Sequence, residues 1–247
     1  MGWKNDLFEI VLTRDQSPTL RRRGQDSGET MHHSGGAYAE TQLIYGAPIR
    51  QVLNHGGRSF LSVGLGCGYN EMLVATECLK KELPPEQIFL LSFESEESLR
   101  QSFLDWLRGD NNSLYESIAV FFQEDSGIST QALRAWLLRA SQVSTWVIES
   151  TLTRASKIPR PVECILYDAF SSKTCPDLWQ EDFLMEFLAQ TSAPNCCLST
   201  YACTGALCRG LKTTGFRLVL RPGFHGKRNS TLALKGAFQA IPDFLNL

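Results

Sequence analysis

The stretch FLSVGLGCGYNEML (60–73) constrains the fold most strongly, because three glycines stand at alternate positions between an apolar run and a helical pattern. The run FLSVG is typical of a buried strand, and the residues from Asn70 onward are typical of a helix. In doubly wound α/β sheets, the turn between the first strand and its helix lies at the edge where ligands bind. The stretch predicts either a nucleotide-like ligand on the glycine turn or a tight turn that holds nothing.

The rest of the chain alternates short apolar runs with helical patterns, which predicts a mostly parallel sheet with helices on both faces. The predicted strands are residues 60–64, 87–94, 118–123, 162–168 and 196–201. The segment 144–161 stays unassigned. Residues 216–235 contain two strand patterns with no helix between them, so the sheet is expected to end in an antiparallel hairpin.

This α/β arrangement is the Rossmann-like architecture of class I S-adenosyl-L-methionine (SAM) dependent methyltransferases, a likeness of fold that does not establish function. We expect residues 1–59 to form an N-terminal, β-rich cover and residues 60–240 to form the methyltransferase-like core, together making one structural domain.

Composition favours a globular, cytoplasmic protein without a membrane partner. No apolar run reaches the length of a membrane span, and the first ten residues lack the layout of a secretory signal. The eight cysteines form no Cys-x-x-Cys pair, so we expect reduced thiols and no metal site. The net charge of −2 means that a nucleic-acid partner would need a local basic patch.

The glycine spacing argues against a dinucleotide. The dinucleotide pattern Gly-x-Gly-x-x-Gly would place a third glycine where this chain has Tyr69, and Glu71 follows in the first turn of the helix. A carboxylate there would repel a pyrophosphate. SAM carries no phosphate, so the turn built on Gly64, Gly66 and Gly68 suits SAM better.

Acidic residues at strand ends add to this interpretation. Glu94 ends the second predicted strand and could bind the ribose hydroxyls of SAM. Asp125 or Glu124, after the predicted strand 118–123, could accept a hydrogen bond from the adenine amino group, although Asp-Ser-Gly is also ordinary turn chemistry. Asp168 follows a buried strand, which would bring its carboxylate to the same edge of the sheet.

The run ILYDAFSSKTCPDLW (165–179) resembles the YDAFSPxxNPxLW signature of the methyltransferase domain of the bacterial tRNA wobble-uridine modification enzyme MnmC. Three further pieces match in the expected order. GGAYAETQLIYG (35–46) resembles GLxETxYVF, GLGCGYNEM (64–72) resembles GFGTGLNFL, and the segment 199–233 resembles the family's C-terminal pattern. The resemblance spans residues 6–235.

The resemblance implies that SAM methylates the exocyclic amine of 5-aminomethyl-(2-thio)uridine at the wobble position of tRNA. Carried onto this chain, the SAM turn comprises Gly64, Gly66, Gly68 and Asn70, Glu94 binds ribose, and Asp168 is the functional acid. The flavin-dependent domain usually fused to this one has no room in 247 residues, so the resemblance implies a stand-alone methyltransferase. Departures from the family pattern include Cys67, Tyr69, Ser172 and Cys175.

Contacts to the acceptor are less specific in the sequence. Phe170, Lys227 and Arg228 are the predicted substrate or RNA contacts, and Arg209, Lys212 and Arg221 extend the basic cluster. His32, His33 and Tyr38 could stack on a flipped base, or could simply pack. Two other functions remain open: a small-molecule amine methyltransferase or aminopropyltransferase, and a degenerate SAM-binding protein without catalysis.

Overall fold

The computed structural model describes residues 3, 5–24, 29–226 and 229–245, which form one seven-stranded sheet, one two-stranded sheet and the helices around them. The strands are β1 (Phe8–Leu12), β2 (Pro18–Arg22), β3 (Ser59–Val63), β4 (Phe89–Phe93), β5 (Trp146–Glu149), β6 (Val162–Tyr167), β7 (Ser192–Thr200), β8 (Arg217–Arg221) and β9 (Ser230–Lys235). The helices are α1 (Ala37–Thr41), α2 (Ala47–Asn54), α3 (Tyr69–Lys80), α4 (Glu97–Arg108), α5 (Ser113–Ser126), α6 (Thr130–Gln142), α7 (Glu181–Thr191), α8 (Gly205–Thr213) and α9 (Pro242–Leu245).

The large sheet has the strand order β5-β4-β3-β6-β7-β9-β8. The five strands from β5 to β7 are parallel, whereas β9 lies antiparallel between β7 and β8. The predicted mostly parallel sheet with a C-terminal antiparallel hairpin is therefore confirmed. The order reverses between β3 and β6, and open α/β sheets bind ligands at the carboxyl ends of the strands on either side of such a reversal.

Two hydrophobic cores lie on opposite faces of the sheet because side chains alternate along each strand. Phe60 and Leu90 face the core that contains the buried sides of α2 to α6, while Leu61 and Leu91 face the core that contains α7 and α8. Every residue of β3 is buried, as expected of a central parallel strand covered on both faces. No helix in the described ranges is long and apolar enough to cross a membrane.

The prediction of a strand at 118–123 is wrong, since these residues belong to α5. The apolar run is one face of a longer amphipathic helix, whose buried residues Leu114, Ile118 and Phe122 recur at intervals of four. The helix begins after Asn112, whose side chain accepts a hydrogen bond from the Leu114 amide. The third strand of the sheet is instead β5, in the segment left unassigned.

The N-terminal segment combines strands and helices. The β1–β2 hairpin accounts for its β-rich part, and residues 37–54 are helical. Between α1 and α2, the residues Gln42–Gly46 form a π-helical turn. Ile44 and Ile49 from this helical part are buried in the core shared with α3, so residues 37–54 pack directly against the methyltransferase-like fold. The boundary at residue 59 stays a prediction.

Candidate functional site

The glycine turn after β3 has the left-handed backbone that favours glycine at all three positions, with φ values of 94° at Gly64, 49° at Gly66 and 76° at Gly68. A Cβ on Gly64 would lie 2.7 Å from the backbone oxygen of Asp168, so this glycine allows β3 and β6 to end side by side. A Cβ on Gly68 would lie 2.2 Å from the Phe103 ring. Gly68 is thus required by core packing, whether or not the turn holds a ligand.

Glu94 follows β4, and its carboxylate is buried against the glycine turn. Its Oε2 accepts a hydrogen bond of 2.8 Å from the Gly66 amide, and its Oε1 accepts one of 2.9 Å from the Glu96 amide. Burial raises the pKa of the Glu94 carboxyl, and the two amide hydrogen bonds oppose that shift. Each carboxylate oxygen keeps a second acceptor site, which suits it to bind vicinal hydroxyls.

Asp168 directly follows β6 at the same edge of the sheet, and its backbone amide donates to the Val63 carbonyl at 2.9 Å. Among the described residues, side chains of two other elements donate to its carboxylate. Asn70 Nδ2 donates to Oδ2 at 3.0 Å, and the Tyr45 hydroxyl donates to Oδ1 at 2.7 Å. Because each oxygen has its own donor, the plane of the carboxylate is fixed relative to the glycine turn.

Tyr45 is a residue of this candidate site that the sequence did not reveal. It lies in the π-helical turn, at the position where the aligned family pattern ETxYVF has phenylalanine, so the resemblance gave it no role. Burial, followed by the charge of Asp168, holds the pKa of the Tyr45 phenol well above its usual range. The phenol therefore stays protonated and donates its hydrogen to Asp168 at neutral pH.

The arrangement fits SAM on its own chemistry. Asn70 Oδ1 is buried and has no hydrogen-bond partner in the described part of the protein, so it offers an acceptor beside the glycine turn. Glu94 offers carboxylate oxygens for ribose hydroxyls. Gly66 is the middle glycine of the turn, and a Cβ there would lie 3.1 Å from Met31 Sδ. Gly64, Gly66, Gly68, Asn70 and Glu94 thus lie together around one turn, and their part in cofactor binding stays a prediction.

Two parts of the sequence reasoning need correction. Asp125 does not end a strand: it lies near the end of α5, is exposed, and interacts with Tyr38. The residue that ends the third strand is Glu149, whose backbone carbonyl accepts from the Glu94 amide at 3.0 Å. Glu71 does not face the turn either, since its carboxyl is buried and accepts a hydrogen bond of 2.7 Å from Ser92 Oγ.

The predicted acceptor contacts have different environments. Phe170, two residues after Asp168 in the sequence, is half-buried, and its carbonyl accepts from the Trp179 indole at 2.7 Å. Lys227 and Arg228 lie outside the described residues. Arg221 is buried, so the prediction that it belongs to an exposed basic cluster is wrong. Arg209 is exposed and pairs with Glu181 at 2.7 Å.

The aromatic side chains proposed as base platforms mostly pack against their neighbours. His32 contacts the Tyr69 ring edge-on at 4.7 Å, and Tyr38 packs edge-on against Phe122 at 5.0 Å. His33 lies parallel to His225 with ring centroids 5.9 Å apart, where the β8–β9 connection meets the N-terminal segment. Packing therefore accounts for His32 and Tyr38.

Comparison with known proteins relates the C-terminal half of the chain to methyltransferases. Residues 126–236 match a family described as S-adenosyl-L-methionine-dependent methyltransferases, and this range includes Asp168. The bifunctional tRNA 5-methylaminomethyl-2-thiouridine biosynthesis protein MnmC of Hahella chejuensis is 40% identical over 73 residues, which are 30% of this chain and 11% of that protein. The corresponding protein of Chromohalobacter salexigens is 38% identical over 82 residues, again 11% of its length. The matched segments thus span about a tenth of these relatives.

Solved structures agree in fold. MnmC2 from Aquifex aeolicus superposes with a TM-score of 0.62 at 19% identity, covering 93% of this chain and 70% of that one. Spermidine synthase from Thermotoga maritima superposes with a TM-score of 0.56 at 14% identity, covering 98% of this chain and 74% of that one. At these identities the two likenesses establish the architecture alone.

Proposed function

We propose that this chain, which matches SAM-dependent methyltransferases over residues 126–236 and MnmC proteins over shorter segments, methylates the aminomethyl nitrogen of 5-aminomethyl-(2-thio)uridine at the tRNA wobble position. The observation that carries this proposal is the Asp168 carboxylate, held by Tyr45 and Asn70 beside the glycine turn and Glu94. A carboxylate at that place suits a substrate amine, because the amine nitrogen becomes positively charged as it takes up the methyl group.

In the proposed site, Glu94 and the backbone of the glycine turn bind the cofactor, which supplies a methyl group on a positively charged sulfur. Methyl transfer needs the nitrogen lone pair in line with that carbon, so the main task of the protein is alignment and exclusion of water. The amine has to be neutral to react. A carboxylate is a much weaker base than an alkylamine, so it takes a proton from an alkylammonium ion inefficiently.

We therefore assign Asp168 an orienting and electrostatic role. Its carboxylate accepts a hydrogen bond from the amine, directs the lone pair, and stabilises the positive charge that develops on nitrogen. Tyr45 and Asn70 keep the carboxylate in place while this charge develops. Both donors are buried and so are held in one conformation, and the half-buried carboxylate they bind therefore needs little reorganisation at the moment of reaction.

The RNA side of the proposal rests on Phe170, two residues after Asp168 in the sequence, and on the exposed cations Arg209 and Lys212 of α8. An anticodon-loop base is already unpaired, so turning it into the site costs little free energy. The proposal places the protein in the cytoplasm with its tRNA. Phosphate contacts release counterions, so tRNA binding should weaken steeply as salt rises.

The test is transfer of labelled methyl from SAM to tRNA that carries 5-aminomethyl-2-thiouridine, followed by digestion to nucleosides. A matched tRNA with unmodified uridine at the wobble position is the control. We expect label in the methylaminomethyl nucleoside with the first tRNA and none with the control. Label in free amines instead of RNA would replace the proposal with a small-molecule transferase, and SAM binding without any transfer would indicate a non-catalytic role.

A further inference from the structure

Arg221, the last residue of β8, carries a buried guanidinium that the proposed chemistry does not use. Its Nη2 donates to Ser199 Oγ at 2.8 Å and its Nη1 donates to the Ile44 carbonyl at 3.2 Å. It is only 6% exposed, and all its partners within the described residues are neutral. Burying a cation among neutral groups costs stability, so packing alone does not explain an arginine here.

The Ile44 carbonyl is the point where this cation meets the N-terminal segment. It accepts a second hydrogen bond, of 2.6 Å, from Ser199 Oγ. Ile44 lies in the π-helical turn Gln42–Gly46, and π-helical turns within α-helices are frequent at functional sites. Two donors from the sheet thus hold the turn at the residue before Tyr45.

Tyr45 completes a continuous set of contacts from the edge of the sheet to the catalytic carboxylate. The guanidinium and Ser199 hold the Ile44 carbonyl, and the Tyr45 phenol, one residue on, donates to Asp168 Oδ1 at 2.7 Å. We propose that Arg221 is a positioning residue that acts through the Ile44 carbonyl and Tyr45 to fix the orientation of the Asp168 carboxylate. This inference rests on the proposed function, because it assigns Arg221 a part in the same site.

The physical basis is preorganisation. A carboxylate that stabilises developing charge has to be aimed before the charge develops, and its aim depends on side chains that are themselves held in one conformation. Tyr45 sits on a turn whose carbonyl is bound by a charged donor, and hydrogen bonds to charged groups are stronger than neutral ones. Loss of that donor should let the turn relax and move the phenol away from Asp168.

The test is a double-mutant cycle between Arg221 and Tyr45, read as the kcat of methyl transfer to the aminomethyluridine tRNA. We expect Arg221→Met to lower kcat about tenfold, the scale of one hydrogen bond to a charged group, without changing the Kd for SAM. In the Tyr45→Phe background, the same substitution should cause almost no further loss. Equal losses in both backgrounds would show that Arg221 does not act through Tyr45 and would overturn the inference.

Matched variants separate positioning from folding. Arg217→Met, on the same strand, removes an exposed arginine that donates to the Gln239 carbonyl, and it should leave kcat unchanged. Ser199→Ala removes the second donor to Ile44 and should lower kcat in the same direction as Arg221→Met. Burying the guanidinium costs stability, so replacing Arg221 with methionine should not lower Tm even though it lowers kcat. A parallel fall in both would indicate a structural role only.

A readout without catalysis keeps the inference distinct from the proposed function. In protein labelled with ¹³C-aspartate, the Asp168 carboxyl signal can be assigned by its absence from Asp168→Asn. Arg221→Met should shift this signal in the same direction as Tyr45→Phe, and the double variant should match Tyr45→Phe. If the wild type fails to methylate the tRNA, the proposed function fails. If the signal is unmoved by Arg221→Met, the inference fails.

Discussion

The Tyr45 phenol donates a hydrogen bond of 2.7 Å to Asp168 Oδ1 and so joins the helical turn before the sheet to the end of β6. Asn70 Nδ2 donates to Oδ2 at 3.0 Å, so donors from separate parts of the described chain bind each carboxylate oxygen. Its orientation therefore depends on how residues 37–54 pack against the sheet.

Tyr45→Phe should test this relationship most simply, because it removes one oxygen and keeps the ring. We expect kcat to fall about tenfold while the Kd for SAM stays the same, since the lost bond is to the acid and not to the cofactor. Tyr38→Phe is the matched control. It also removes one phenol oxygen, but that oxygen accepts a hydrogen bond from Gln42 Nε2, so kcat should stay the same. A change in the Kd for SAM with kcat preserved would contradict the assignment of Tyr45.

Glu94→Gln should weaken SAM binding by about tenfold or more, on the scale of a hydrogen bond to a charged group. An amide offers only one acceptor oxygen, so it cannot satisfy both the Gly66 and Glu96 amides and also bind ribose hydroxyls. Calorimetric titration with SAM measures the effect. Turnover at saturating SAM should be nearly normal, and unchanged affinity would remove Glu94 from the cofactor site.

Glu71 predicts how stability depends on pH. Burial raises the pKa of its carboxyl to about 7 from the ordinary 4.5, against the hydrogen bond from Ser92. Between these values the folded protein keeps a proton that the unfolded chain loses. The free energy of unfolding should therefore fall as pH rises from 4.5 to 7.

This contribution amounts to about 3 kcal/mol, from about 1.4 kcal/mol per pKa unit. Urea unfolding at several pH values should show that Glu71→Gln removes this dependence. The exposed Glu97→Gln is the control and should leave it in place. If the free energy of unfolding showed the same dependence on pH between 4.5 and 7 in the wild type and in Glu71→Gln, the raised pKa of Glu71 would be contradicted.

Gly64→Ala should disturb the site for two reasons: the positive φ at this position is unfavourable for alanine, and the added Cβ would clash with the backbone just after β6. The added Cβ would lie 2.7 Å from the Asp168 backbone oxygen, so β6 or the turn has to move. Gly127 has a similar positive φ, and a Cβ there would have no neighbour within 4 Å. Gly127→Ala should therefore lower Tm through strain alone, while Gly64→Ala should lower both Tm and kcat.

The sequence predicted those parts of the site that follow a local rule. Asp168, Glu94 and the glycine turn each follow a strand, and parallel strands end at one edge of the sheet, so their proximity could be inferred. Asp125 was misplaced because a helical face that includes Ile118 and Phe122 was mistaken for a strand, which hid β5. Periodicity over six residues could not separate the two, whereas the capping residue Asn112 would have favoured a helix.

Contacts between distant parts of the chain could not be inferred in this way. Tyr45 and Asp168 are 123 positions apart, and Arg221 and Ile44 are 177 positions apart. Both contacts depend on how the π-helical turn packs against the sheet, and no local pattern in the sequence specifies that packing. Arg221 looked like a surface cation because arginine usually is one, and only the packing of β8 beside β9 shows it to be buried.

The most direct test of the central claim compares wild-type protein with Asp168→Asn, by nucleoside analysis of aminomethyluridine tRNA after reaction with labelled SAM. The substitution keeps the shape but gives the Tyr45 and Asn70 donors an amide that can accept at only one oxygen. We predict methylaminomethyluridine from the wild type, a loss of about 10²-fold or more in the variant, and equal SAM affinity in both. Equal turnover of the two proteins would contradict the account.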